Sequence, residues 1–369
     1  MYSPISLNNA FLVPPYKTEG IKYAGSKLKL LPHILSIVQE LDIKTILDGF
    51  SGSTRVSQMF AQLGYQVTAN DRSVWSEIFG KTYLLNHQTR TYYLDLIKHL
   101  NNTSSYYGWF SEHYGGEIGS VEKRPFQLHN TMKLDGIRDE IDRLNLDEQD
   151  KAVALTSLIL AMDAVDNTLG HYCAYLSNWS ARSYNKVELK VPNLFISEQD
   201  NNVIQGDIFD LLPQKEFDLA YFDPPYGSNN EKMPPSRVRY NSYYHIWKTV
   251  VLNDHPQLFG KVNRREDSRD TVDPSVFEEY KKNEEGQYLA MLAIKRLIEE
   301  TQAKYILLSY SSGGRATKQE LYEILTHAGE LVKVSEINHK TNVMGFMRWT
   351  NEWVTSDNTT NEYLFLLKK

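Results

Sequence analysis

The stretch 44–71 limits the possible folds more than any other part of this chain. Thr45-Ile46-Leu47 is a short apolar, β-branched run that reads as a buried strand and ends on Asp48. Gly49-Phe50-Ser51-Gly52-Ser53 follows as a turn of mostly small residues. Val56, Met59, Phe60 and Leu63 then recur at helical spacing, and Gly64 is placed to stop that helix. Residues 65–71 form a second apolar run that ends on an acid, Asp71. Strand, glycine turn, helix, strand and acid make one βαβ unit of an open parallel sheet, in which ligands sit beyond the carboxyl ends of the strands.

The flanking sequence extends this pattern and then interrupts it. Residues 21–27 read as a loop, and 28–41 as a helix with apolar Leu28, Leu31, Ile34, Leu35, Val38 and Leu41. From about 92 the strand–helix alternation stops, and helical patterns appear at 134–144 and 151–169. Alternation resumes near 202, with an apolar strand at 217–222, a helix at 288–300, a strand at 304–309, a helix at 318–326 and a last pair of strands at 331–337 and 362–367. The expected fold class is α/β: a Rossmann-like sheet formed by 1–90 and 200–369, with a mainly helical domain inserted at 91–199. The length of 369 residues suits two such units. Within the sheet domain, 228–285 reads as a long, polar, irregular insertion.

Bulk properties exclude several classes. With one cysteine, Cys173, neither an internal disulfide nor a cysteine-based zinc cluster can form, and no metal is expected. No apolar run approaches the roughly 18 residues of a membrane span, and no secretory leader pattern is visible, so a cytoplasmic monomer is the expected state. The formal charge of −6 argues against a uniformly basic surface but leaves room for a local basic face. The 24 tyrosines serve either a tyrosine-rich core or platforms for base stacking.

Asp223-Pro224-Pro225-Tyr226 directly follows the strand at 217–222. A stiff turn that closes a strand is the plain alternative, but the carboxyl end of a sheet strand is where ligands bind. These residue types suit an exocyclic amine conjugated to a ring, such as N6 of adenine. Asp223 and the Pro224 carbonyl would accept its two N–H groups and leave the nitrogen lone pair aimed at an electrophile. Two prolines fix that carbonyl in advance. Tyr226 would stack on an extruded base.

The turn at 48–53 departs from the Gly-x-Gly-x-x-Gly pattern of dinucleotide sites. It suits a ligand with an amino acid part and a nucleoside but no pyrophosphate. Asp48 would meet the ammonium group, Phe50 and Gly52 belong to the same turn, and Asp71 stands where an acid binds ribose hydroxyls; capping the next helix is the alternative for Asp71. Tyr23-Ala24-Gly25-Ser26-Lys27 precedes a helix. It is either a plain helix start with a solvated lysine, or a loop whose Lys27 neutralises the cofactor carboxylate while Tyr23 packs on the cofactor.

In their order along the chain, these stretches resemble the Dam-type, alpha-group N6-adenine DNA methyltransferases of restriction-modification systems. That family has an aromatic-Ala-Gly-small-Lys loop, then the cofactor turn, the acid on the second strand, a target recognition domain and Asp-Pro-Pro-Tyr. The resemblance is clear over about 20–80 and 200–228, weaker over 300–369 and only positional over 90–200. It implies an S-adenosylmethionine-dependent methyltransferase sheet and cofactor contacts by Tyr23, Lys27, Asp71 and Asp223. Asp207, in a loosely matching segment, would reach the cofactor adenine. It also implies target recognition by 91–199, double-stranded DNA as partner and a cognate restriction endonuclease acting on the same site. Tyr23 stands where tryptophan is common, and 228–285 is longer than expected. Residues 230–270 carry eight Lys/Arg against five acids. Arg237, Arg239, Lys261, Arg264 and Arg265 are therefore candidates for DNA phosphate contacts, with a solvated loop as the alternative.

Other classes fit less well. Cytosine-C5 methylation needs a cysteine nucleophile after proline, and Cys173 lies in His171-Tyr172-Cys173-Ala174. N4-cytosine methylation poses the same problem of a conjugated amine and stays open. RNA or protein-amide methylation, and a catalytically silent DNA-binding module on the same fold, are the remaining alternatives.

Overall fold

The computed structural model describes residues 16–22, 24–119, 124–227, 239–269, 272, 274–340 and 359–369. Seven strands form the central sheet: β1 (Thr45–Asp48), β2 (Gln66–Asp71), β3 (Asn202–Gln205), β4 (Phe217–Phe222), β5 (Ala303–Ser311), β6 (Glu330–Lys340) and β7 (Thr359–Lys368). Their spatial order is β6-β7-β5-β4-β1-β2-β3. Strands β5, β4, β1, β2 and β3 are mutually parallel, and β7 runs antiparallel between β5 and β6. The chain leaves β1 in one direction along the sheet and returns at β4 to build the other half. The β1/β4 boundary is thus the switch point where an open α/β sheet leaves a crevice.

Alternation along the strands shows why the sheet is covered on both faces. Ile46, Leu219, Tyr221, Leu307, Leu364 and Leu366 face one apolar layer with α1 (Leu31–Val38) and α2 (Arg55–Gln62). Their sequence neighbours Leu47, Ala220, Phe222, Leu308, Phe365 and Leu367 face the other layer, with α11 (Leu289–Glu300) and α12 (Lys318–Ala328). A period of two with both phases apolar is what a doubly covered sheet requires. The α12 helix starts with a capping box, in which Thr317 and Glu320 satisfy each other's backbone N–H.

A third core is mainly helical. It joins α3 (Val74–Leu84), which follows β2, to α4 (Leu94–Asn102), α5 (Trp109–Tyr114), α6 (Leu128–Arg143) and α7 (Glu148–Ala164). Gly80 lets α3 lie close on the sheet, since a Cβ there would stand 2.7 Å from Val203 of β3. Buried Asp135 accepts the backbone N–H groups of Gly108, Phe110 and Ser111, which fixes the start of α5. After α8 (Ile208–Leu211) and β4, α9 (Tyr240–Tyr243) and α10 (His245–Leu252) add to the same core through Tyr244, Ile246, Trp247 and Val250.

The helices at 240–252 correct the reading of 228–285 as irregular throughout. Ile246, Trp247 and Val250 share one helical face, and polar neighbours mask that periodicity in the sequence. Buried Arg138 of α6 donates to the carbonyls of Val250 (2.6 Å) and Val251 (3.1 Å) at the end of α10. A cation is favourable at that helix terminus. Among the described residues, no helix is long and apolar enough to cross a membrane.

Trp247 is fully buried against Phe126 and Tyr172. Trp247→Ala is expected to lower the unfolding free energy by about 3–5 kcal/mol, the usual cost of emptying a buried aromatic site. Urea unfolding checks this, and a change below about 1 kcal/mol would place 240–252 outside the core.

Candidate active site

The carboxyl ends of β1, β2, β3 and β4 surround a cavity of about 560 Å³, within the usual range for small-molecule sites. Its floor is the turn after β1. The Gly49 N–H donates to the Tyr221 carbonyl at 3.0 Å. A Cβ on Gly49 would stand 2.6 Å from the Phe222 ring, so only glycine lets the turn sit flush on β4. Phe50 projects beside it and packs edge-on against Phe222 and Phe277.

Asp71 at the end of β2 locks this turn. One of its carboxylate oxygens accepts the Gly52 N–H (2.9 Å) and the other the Ser73 N–H (2.8 Å). Gly52 has a φ of +49°, a conformation that suits glycine. Ser73, not Asp71, is the N-cap position of α3. Asp71 still lines the cavity, and burial holds its pKa above the ordinary carboxylate range despite these donors. Asp207, also on the cavity wall, accepts the Phe209 N–H and starts α8.

Asp48 is placed differently from its expected contact with a ligand ammonium. It lies behind the turn, 1 % exposed, and accepts from the Ser57 hydroxyl at 2.6 Å. Its other oxygen is buried without a hydrogen-bond partner. Burial, and then the neighbouring carboxylates of Asp223 and Asp71, push its pKa up to about 7.

The opposite wall is the Asp223-Pro224-Pro225-Tyr226 segment, directly beyond β4. Lys27 reaches across from the N-terminal loop. It is 6 % exposed, and its ammonium lies 2.8 Å from Asp223 Oδ1 and donates to the Tyr226 hydroxyl at 2.7 Å. It is not a solvated lysine. The Tyr226 hydroxyl donates to Asp223 Oδ1 and lies 3.4 Å from Glu362 Oε2 on β7. Burial raises the Asp223 pKa, and the nearby Lys27 offsets only part of that rise. The Tyr226 ring packs on Tyr310 at 4.7 Å. Gly314, in the loop after β5, permits the pair, because a Cβ there would meet the Tyr310 ring at 2.5 Å and Tyr226 Cβ at 3.0 Å.

An aromatic rim completes the cavity: Trp75 from α3 and Tyr240, Tyr243 and Tyr244 from the segment after β4. Sequence reasoning missed these residues, although the run Tyr240-Asn241-Ser242-Tyr243-Tyr244 was a visible signal. The rim also holds the Lys27 loop. Tyr244 accepts the Ala24 N–H at 2.6 Å and Tyr240 donates to the Ala24 carbonyl. Lys22, in the same loop, pairs with Asp163 (3.4 Å) and Asp166 (3.0 Å) at the end of α7 and just beyond it. The other residue missed by sequence reasoning is Glu362, which no motif marks.

The structure therefore brings Lys27, Phe50, Asp71, Asp207 and Asp223–Tyr226 around one space, while Gly52 is buried in the turn and is not on the cavity wall. Tyr23 and Arg237 lie outside the described residues. Two of the phosphate-contact candidates are instead internal. Arg265 is 3 % exposed and forms paired bonds with Asp254 (2.7 Å) and further bonds with Asp267. Arg239 is buried and donates to the Glu278 carbonyl. Arg264 lies over the Phe259 ring at 4.5 Å, and Lys261 is exposed. Sequence counts charge but not its burial, so the net positive balance overstated the basic surface.

A family model described as D12 class N6 adenine-specific DNA methyltransferase matches residues 23–324. The type II methyltransferase M.FokI of Planomicrobium okeanokoites is 26% identical over 371 residues, covering 95% of this chain and 53% of its own. The modification methylase StsI of Streptococcus sanguinis is 28% identical over 326 residues, covering 83% of this chain and 46% of its own. The type II methyltransferase M.NlaIII of Neisseria lactamica is 27% identical over 365 residues, covering 95% and 99%. The chain thus spans about half the length of the first two relatives.

The Asp48 carboxyl yields a pH test. Its pKa in the fold, about 7, lies above that of the unfolded chain, so its contribution to stability is full at low pH and is lost as pH rises through about 7. Asp48→Asn keeps an acceptor for Ser57 without the charge. The melting temperature of the variant relative to the parent is expected to rise from pH 5 to about pH 7 and to level off above it; a constant difference from pH 5 to pH 8 would contradict a neutral, buried Asp48.

Proposed function

The chain belongs to the D12 class of N6 adenine-specific DNA methyltransferases, and from that membership we propose that it transfers a methyl group from S-adenosylmethionine to N6 of an adenine flipped out of duplex DNA. The observation that carries this reading is the position of Asp223-Pro224-Pro225-Tyr226: at the end of β4, in the wall of the cavity that also contains Phe50, Asp71 and Asp207.

The residues present fit the cofactor. The turn at Gly49 carries no side chain and lies flush on β4, with Phe50 beside it on the cavity wall. Asp71, Asp207 and Asp223 line the space, and Asp48 lies behind it. Burial raises the pKa of Asp71 and Asp223 on the wall and of Asp48 behind it, which disfavours their charged forms. A ligand carrying a sulfonium and an ammonium would favour them. S-adenosylmethionine, when bound, supplies an electrophilic methyl group. Asp71 is placed to hold ribose hydroxyls, Phe50 to pack on a nucleoside ring, and Asp207 to accept from the adenine amine of the cofactor. Tyr23 and Lys27 are assigned to the amino acid end.

At the reacting amine, Asp223 accepts one N–H and the Pro224 carbonyl the other. That favours a pyramidal nitrogen with its lone pair directed at the methyl group. Tyr226 stacks on the base and keeps it out of the duplex. No covalent enzyme intermediate is required, so rate comes from positioning and from charge placed in advance. Burial raises the Asp223 pKa, and protonation would take away acceptor capacity that the amine needs, so activity is expected to fall on the acid side.

The motif order resembles that of the Dam-type group, and this supports a reading of the helical region 91–199 as the target recognition domain, to whose core 240–252 adds. The names of the relatives support a role as the modification partner of a restriction endonuclease acting on the same site.

Asp223→Ala is expected to reduce adenine methylation of duplex DNA by at least about 10³-fold, the scale of losing a transition-state contact, with the fold retained but the melting temperature lowered, because Lys27 loses its buried partner. Methyl transfer from radiolabelled cofactor measures it, and near-parental activity would end this assignment.

A further inference from the structure

The Tyr226 hydroxyl has one hydrogen and two carboxylates within reach. It gives that hydrogen to Asp223 Oδ1, the oxygen that Lys27 also holds at 2.8 Å, while Glu362 Oε2 stands 3.4 Å away from the hydroxyl. The Lys27 ammonium donates to the same hydroxyl at 2.7 Å, so the hydroxyl cannot also donate to Lys27. In this arrangement Asp223 Oδ1 is fully engaged by the protein itself. A substrate amine that is to use that oxygen must take the place of the phenolic hydrogen, which then needs another acceptor. A buried hydroxyl left without one loses much of the benefit of binding.

We propose that Glu362 is that acceptor, a positioning residue that takes the Tyr226 hydroxyl when the target base enters and so releases Asp223 Oδ1 for the amine. This rests on the reading of the site as an amine methyltransferase centre. Glu362 is well placed for the role. It sits on β7, paired with Ser311 of β5 and Ile337 of β6, so its position is set by the sheet and not by a loop. It is not among the residues that line the cavity. Its carboxyl is largely buried, and both Lys27 and Asp223 act on it electrostatically. The single ammonium of Lys27 thus serves two carboxylates, and a small shift of the Tyr226 hydroxyl decides which one keeps the phenolic hydrogen. No proton changes owner; one hydrogen bond is exchanged for another.

Glu362→Ala removes the alternative acceptor, and Glu362→Gln keeps a carbonyl oxygen in the same place. The expected result is a fall in kcat of about 10- to 100-fold for Glu362→Ala, with KM for S-adenosylmethionine unchanged. Glu362→Gln should stay within about threefold of the parent, since a carbonyl accepts the same bond. In a Tyr226→Phe background, Glu362→Ala should cost nothing further, because the hydroxyl it serves is gone. A readout independent of turnover is 3-fluorotyrosine placed at position 226. Its ¹⁹F resonance, recorded on the protein alone, should move in Glu362→Ala and less so in Glu362→Gln. Full activity of Glu362→Ala, an equal loss in the Tyr226→Phe background, a Gln variant as poor as the Ala variant, or an unmoved fluorine resonance would each overturn the proposal. If the parent protein methylates no DNA, the functional reading fails, and the fluorine experiment still decides whether Glu362 and the hydroxyl are in contact.

Discussion

The Lys27–Asp223 ion pair holds the site together. It joins a loop near the N-terminus to the end of β4, residues almost two hundred positions apart in sequence. An ion pair this buried contributes little net stability, because desolvation offsets most of the attraction. Its value is positional: it fixes the Asp223 carboxylate at the cavity wall and offsets part of the rise in pKa that burial causes. Tyr226 completes the arrangement by bonding to both partners at once.

The same loop ties the catalytic wall to the helical region. Lys22 pairs with Asp163 and Asp166 at the end of α7, and Ala24 bonds through both its N–H and its carbonyl to tyrosines of the 240–244 segment. Those tyrosines lead into α10, whose Trp247 is packed in the helical core. Displacement of the helical layer would therefore be felt at Lys27 within a few residues. That is a physical route by which a recognition surface and a reaction centre can share one fold, and it depends on packed contacts already in place.

Much of this was legible in the sequence. The period-two strands, the small-residue turn after β1 and the acid closing β2 placed the parallel half of the sheet, because both faces of that sheet demand continuous apolar strands. Asp223–Tyr226 stood out because proline after an apolar strand is chemically specific. What escaped were contacts with no local signature. Glu362 is one acid in a polar run, and only the antiparallel insertion of β7 beside β5 brings it to Tyr226. Arg239 and Arg265 looked like phosphate ligands because charge is visible in a sequence, while the carbonyl and carboxylates that occupy them are not. Asp48 failed in the same way: its position after a strand was read correctly, but not the direction of its carboxyl, which turns to Ser57 beneath the turn.

The central claim is that this site methylates an exocyclic adenine amine presented to Asp223 and Pro224. Base-resolved sequencing of modified genomic DNA from a host lacking its own methyltransferases, with the chain expressed, tests that claim most directly. N6-methyladenine confined to one short recognition sequence is the expected outcome. N4-methylcytosine, or DNA with no modification above the host background, would contradict it.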